Sequence, residues 1–245
     1  MTTSILSPNS IENEFCFPTK ELSNERVKLV PFDLCNHAVE YYNKTADVPG
    51  LYAHQAIAPF KSADDFVNNF VLTRAYPDPA TFLWAIIDTT NLNHKGEEGA
   101  LAGVVAYMAS SVVHKSTEIG FINIIPQFQR THVTTNAVGL LLQYALNPER
   151  AGGLGLRRVE WHTNSGNVAS LRVAERIGFK REGVLRWHRV FYDGEQNGKQ
   201  GNGKTMPSHG VPKDLGRDTV LLGLCWDDWE DGGRDHVQNL MDRRL

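Results

Sequence analysis

Pro126-Gln-Phe-Gln-Arg-Thr-His-Val-Thr-Thr135 lies between a run that reads as a strand, Thr117 to Ile125, and a pattern that reads as a long helix, Thr131 to about Leu146. Ala137, Val138, Leu141, Leu142 and Ala145 recur at helical spacing and give that helix an apolar face. The first backbone N–H groups of a helix are unpaired, and its dipole adds partial positive charge there. Such an end holds phosphate without many basic side chains. The amides of roughly Thr131 to Thr135 therefore form a candidate pyrophosphate seat, with Arg130 adding one direct ion pair. Threonines at a helix start also serve simply as caps, and alone the segment fits that plainer reading.

Working toward the N-terminus, Leu101 to Ser110 and Phe82 to Ile87 read as strands, with the polar Asn91 to Gly99 stretch as the turn between them. Ser62-Ala-Asp-Asp65 ahead of Phe66, Val67, Phe70 and Val71 starts a helix, and Asp33 caps another that reaches about Thr45. Val27 to Phe32 alternates as a short strand, with Pro31 marking a sheet edge. Residues 1–24 are polar and irregular, a flexible or surface-draped arm. Toward the C-terminus come a strand at Arg158 to His162 and a helix at Asn167 to Ile177. A strand starts at Phe179, and the last runs from Thr219 to Cys225. The Gly-, Lys- and Asn-rich segment at about 193–216 lacks apolar periodicity and reads as a mobile loop between the final two strands. The order β-α-α-β-β-β-α-β-α-β-β predicts one α/β domain over residues 25–245, built on a mixed sheet.

The bulk properties narrow the function. A formal net charge of −3 gives no basic field to attract nucleic acid. No stretch approaches the ~20 apolar residues that span a bilayer, and no signal-peptide pattern opens the chain. Cys16, Cys35 and Cys225 are scattered and odd in number, without metal-ligand spacing. They argue against a disulfide framework or a metal site and for a reducing cytoplasm.

About thirty residues beyond the candidate phosphate seat stands Asn164-Ser-Gly-Asn-Val-Ala-Ser170, then Leu171-Arg-Val-Ala-Glu-Arg-Ile-Gly-Phe179. Together with Glu118-Ile-Gly-Phe121, Gln129 to Ala137 and Glu175 to Gly183, this order resembles the GNAT superfamily of N-acetyltransferases. Within it the closer resemblance is to the RimJ/RimL-like (ribosomal-protein N-acetyltransferase-like) branch, which Arg217-Asp-Thr219 and Trp226-Asp-Asp-Trp229 share. The resemblance covers most of residues 25–245. It implies a single α/β (α+β) domain whose mixed, mostly antiparallel sheet has about seven strands, splays in the middle and is flanked by about four helices. It implies acetyl-CoA as cofactor, with the pantetheine arm lying in the splay like an extra strand. Asn123, Ile124 and Ile125 would pair with that arm through their backbones. Gln129, Arg130, Thr131, His132, Val133, Thr134 and Thr135 would contact the phosphates. Asn167 would hydrogen-bond the pantetheine or the acceptor, and Ser170 would sit near the sulfur.

Two positions depart from the resemblance. His132 and Thr134 occupy sites that are usually small, so the His132 side chain must turn away if its amide is to reach phosphate. Where some relatives place a carboxylate base, this chain has Arg189, beside His188. Acetyl transfer to an amine needs a proton acceptor, oxyanion stabilisation and protonation of the leaving thiolate. A backbone N–H near Ile124 suits the oxyanion and Ser170 the thiolate; Glu118 and His188 are the candidate bases, with His162 and Glu160 on the strand beside the cleft. Each has a plainer reading: structural pairing for Glu118, a solvated ring for His188, a helix cap for Ser170. The expected activity is acetyl transfer in a ternary complex to a primary amine of a small molecule or of a protein N-terminus. The alternative is a catalytically silent acyl-CoA sensor or scaffold. Members of this branch often pair, so a homodimer is also expected.

Overall fold

The computed structural model describes residues 14–57, 59–93, 96 and 98–244. Its strands are β1 (Leu22–Ser23), β2 (Val27–Pro31), β3 (Phe82–Leu92), β4 (Glu98–Ser111), β5 (Ser116–Ile124), β6 (Arg158–Asn164), β7 (Lys180–Phe191) and β8 (Leu215–Cys225). They form one sheet in the order β1-β2-β3-β4-β5-β6-β8-β7. Neighbours run antiparallel, except that β5 and β6 are parallel. The strand beyond the expected seven is β1, within the segment read as an arm. There Leu22 pairs with Leu29, Phe15 and Phe17 pack on the core, and the Tyr144 hydroxyl donates to Pro18 O at 2.6 Å. Residues 1–13 of that arm lie outside the described residues.

The main helices flank the sheet. In α1 (Leu34–Thr45), Asp33 Oδ1 accepts from Asn36 N at 2.7 Å, the cap its position implies. In α2, Ser62 Oγ accepts from Asp65 N at 3.0 Å; the helix begins as Ala63–Phe66 and continues with π geometry through Val67–Ala75. Helix α3 (Val133–Leu146) is apolar almost all round and buried nearly throughout, as a helix wedged between the sheet and a second layer must be. Its Leu141 and Leu142 are fully buried, each contributing about 1.5–3 kcal/mol of transfer free energy. Helix α4 (Val168–Ile177) buries Leu171, Ala174 and Ile177. Helix α5 (Arg234–Asp242) supplies the second layer over α3, burying Val237, Leu240 and Met241, with Met241 seated over Gly139. Among the described residues no helix is long and apolar enough to cross a membrane.

Two features shape the centre of the sheet. Strand β5 pairs with β6 at Ser116↔Arg158, Thr117↔Val159 and Glu118↔Glu160, and beyond Glu118 the two part. The parting follows an irregularity in β5: its register on β4 shifts between Val104 and Ala106, and Phe121 adopts φ 48°. A bulge bends its strand and breaks pairing, and left-handed backbone at a bulky residue costs about 1–3 kcal/mol. The Phe121 ring stacks on Phe70 of α2 with centroids 4.1 Å apart, which offsets part of that cost.

The loop joining β7 to β8 is tied down at several points. Lys199 Nζ donates to Tyr52 O at 2.8 Å and to Ile57 O, and Gln200 N donates to Ala53 O at 2.8 Å. Asn164 Nδ2, at the end of β6, donates to Gln200 O at 2.8 Å. The loop thereby holds residues 52–57 against the open end of the β5–β6 gap.

Candidate active site

The gap between β5 and β6 opens into a cavity of about 1110 Å³. Gln129, Arg130, Thr131, His132, Thr134, Thr135 and Arg176 line one end, and Asn167 and Ser170 line a side, while Val133 is buried in the core and does not reach the cavity. The other end carries His54, Glu118, His162, His188, Arg189 and Arg217. The start of a helix and a titratable end thus share one space.

At the first end, the Thr131 hydroxyl donates to Phe128 O at 2.6 Å, and its oxygen accepts from Val133 N at 3.3 Å. Thr131 therefore forms a tight turn just ahead of the helix, whose N-cap is His132, and the Val133 amide is engaged rather than free as its expected role required. The amides of His132, Thr134 and Thr135 have no acceptor among the described residues. The His132 ring turns from the loop toward Asp88, with Nε2 3.3 Å from Oδ1, so it leaves those amides uncovered. Arg176 Nη2 donates to Thr135 Oγ1 at 3.0 Å, bringing a guanidinium to the helix start. Gln129 folds back to donate from Nε2 to Ile124 O at 3.0 Å, while Arg130 is exposed at φ 61°. Free amides, a helix dipole and arginine together fit a diphosphate.

Along the parted edge of β5, Ile125 N donates to Ala102 O at 2.9 Å, and Ile125 O accepts from Phe128 N at 2.9 Å. Ile125 is therefore committed within the protein and does not fit the expected pairing with an extended ligand. Alternation along the strand also turns the Asn123 backbone toward β4, where its carbonyl crowds Gly103. The N–H of Ile124 and the backbone of Ile122 are left facing the gap. The Asn123 side chain, fully buried, binds Gln55 through Nε2–Oδ1 at 2.5 Å and Nδ2–Oε1 at 3.3 Å. It links the gap to the 52–57 segment.

Across the gap, Asn167 caps α4 by accepting from Ser170 N at 3.1 Å, so the cap is Asn167 and not Ser170. Trp161 Nε1 donates to Ser170 Oγ at 2.9 Å. The serine oxygen is held in place while its own proton stays free to be given.

The titratable end is organised by β6. Glu118 Oε2 lies 2.9 Å from His162 Nδ1, and Glu160 Oε2 lies 3.3 Å from His162 Nε2. Arg158 Nε holds Glu160 Oε1 at 2.7 Å and forks onto Glu182. Burial pulls the His162 imidazole down, but the hydrogen bond and charge of Glu118 and the charge of Glu160 outweigh it, and its pKa is raised. His188 behaves oppositely: burial and the charges of Arg189, Arg217 and His162 lower it. Its Nδ1 lies 3.0 Å from Thr219 Oγ1. The structure thus gathers Glu118, His188 and Ser170 around one cavity and adds His162 as the direct partner of Glu118.

These features match known proteins. The chain belongs to the acetyltransferase (GNAT) domain family, whose model matches residues 26–180. That is a class of acyl-CoA-dependent acetyltransferases, with acetyl-CoA as the cosubstrate. The chain is 31% identical over 86 residues to the uncharacterized N-acetyltransferase YoaA of Bacillus subtilis (strain 168), across 35% of this chain and 45% of that protein. It therefore spans less than half the length of that curated relative. Among solved structures, a probable acetyltransferase of the GNAT family from Chromobacterium violaceum superposes with a TM-score of 0.69 at 26% identity, covering 94% of this chain and 98% of its own. A GCN5-related N-acetyltransferase from Brucella melitensis gives 0.70 at 24% identity, covering 91% and 85%, and shows the shared fold.

Proposed function

We propose that this protein is an N-acetyltransferase that moves an acetyl group from acetyl-CoA to a primary amine by direct attack in a ternary complex. The observation that carries the reading is the shared cavity: the free amides of α3 and the Glu118–His162 pair open onto the same gap between β5 and β6. Bound acetyl-CoA supplies a thioester carbonyl and a thiolate leaving group. The Glu118–His162 pair, acting as one unit, takes the proton from the ammonium form of the acceptor or from a water between them. Glu160, itself held by Arg158, faces the other side of the ring and offsets the positive charge it gains. The Ile124 N–H, facing the gap, is placed to donate to a developing oxyanion. Ser170, fixed by Trp161, gives its proton toward the leaving sulfur. His188, its pKa lowered first by burial and then by the charges of Arg189 and Arg217, stands on the acceptor side as a second proton acceptor.

The RimJ/RimL-like motifs extend the candidate acceptors to protein N-termini as well as small amines. Strand β7 closes the sheet with an exposed outer edge carrying Val184, Leu185 and Trp187, a surface suited to pairing with a second copy. Three free cysteines fit a reducing cytoplasm. The test is thiol release from acetyl-CoA over a broad amine panel, with calorimetric titration of acetyl-CoA alongside. Turnover supports the enzyme. Tight binding with no turnover on any amine sinks it and leaves the acyl-CoA sensor.

A further inference from the structure

Arg189 of β7 and Arg217 of β8 stand directly opposite each other in the antiparallel register. Like charges at such a position destabilise a sheet, because their side chains leave the same face within a few ångströms. Both line the titratable end of the cavity, and among the described residues neither has a carboxylate within 4.0 Å. The neighbouring Asp218 offers no relief. Its carboxylate holds Lys204 at 2.6 Å, Trp187 N at 2.8 Å and Asn202 Nδ2 at 2.8 Å. Glu118 faces the arginines but is committed to His162.

Arg217 is partly withdrawn from water. Its Nε is buried without a hydrogen-bond partner, and burial with the charge of Arg189 brings its pKa down to about 10. His54 Nδ1, from the 52–57 segment, is likewise buried and unpartnered. A guanidinium opposite a second guanidinium, beside an unpaired imidazole, is a receptor for a planar anion.

We propose that the acceptor is a small primary amine that also carries a carboxylate, gripped by Arg217 and Arg189 with its amino group toward Glu118 and His162. This rests on the acetyltransferase reading and narrows it: a polycationic amine would meet two guanidiniums at the same end. Carboxylate binding also cancels the Arg–Arg repulsion, so that occupancy of the acceptor site stabilises the β7–β8 pair.

The experiment compares L-α-amino acids, β-alanine and γ-aminobutyrate with their own amides and with linear polyamines, reading thiol release from acetyl-CoA. The expected result is a kcat/KM at least about tenfold higher for the best carboxylate-bearing amine than for its amide. Arg217→Gln should raise the KM for that amine about tenfold or more while the KM for acetyl-CoA holds. Arg189→Gln does the same more weakly, and circular dichroism melts confirm that both variants fold. Equal or better use of amides or polyamines overturns the proposal. If no amine gives turnover, the enzyme reading fails separately, and titration of the same carboxylates and amides into the CoA-loaded protein decides. Tighter carboxylate binding, lost in Arg217→Gln, upholds the anion site; equal binding overturns it.

Discussion

Glu118 Oε2 and His162 Nδ1 meet at 2.9 Å where β5 and β6 cease to pair. Glu118 is the last β5 residue in register with β6, opposite Glu160, and His162 lies two residues further on the same face. One base pair thus straddles the root of the gap.

Glu118→Gln should lower kcat/KM by about 100-fold, the lower range for a general-base unit. The acid limb of the pH–rate curve is the sharper readout. In the native protein it should turn above the ordinary histidine value of ~6.5, since His162 is raised. In Glu118→Gln it should move to lower pH, because the charge and hydrogen bond holding the proton are gone. An unmoved limb would show that another group takes the proton.

The same pair sets a stability signature. A histidine whose folded pKa is raised stabilises fully below its unfolded value and loses that contribution as pH rises through the folded value. His162→Gln should therefore cost more stability at pH 5.5 than at pH 9. Urea unfolding at both pH values measures the difference, and equal costs would contradict the raised pKa.

Ser170→Ala should reduce kcat about tenfold with little change in the KM for acetyl-CoA, as among the described residues the Ser170 side chain hydrogen-bonds only with Trp161. Single-turnover kinetics with acetyl-CoA separate this from a binding defect. A rise in KM without loss of kcat would make the serine a binding contact instead.

Gly103 lies where a Cβ would come 2.4 Å from Asn123 O. Gly103→Ala should push β5 outward beside the bulge and destabilise the fold by about 1–3 kcal/mol. Chemical denaturation gives the cost, and the KM for acetyl-CoA should rise, because the displaced backbone borders the gap.

The sequence displayed the elements whose signals are local. Asp33 and Ser62 cap where their spacing placed them, and the periodicities of Phe82 to Ile87 and Arg158 to His162 fall within strands β3 and β6. What it hid depends on partners distant along the chain. Glu118 and His162 come together through a parallel register set by the crossover helix α3, and Arg189 meets Arg217 through the β7–β8 register. The two-residue β1 is too short to show alternation. Helix α5 did carry a signal, in Val237, Leu240 and Met241, that went unread beside its many charges. The engaged amides of Val133 and Ile125 follow from hydrogen bonds that no residue type announces.

The short seam between β5 and β6 makes the sheet two ledges, β1 to β5 and β6 to β8, joined edge to edge by three residues from each strand. The start of α3, with its unpaired amides, leaves the first ledge, while the arginine pair belongs to the second. On the proposed reading, a donor lying in the gap would stand where strand contacts are missing and act as mortar between the ledges. Cosubstrate occupancy would then lock the two ledges to each other, joining the halves of the sheet that only three residue pairs otherwise hold together.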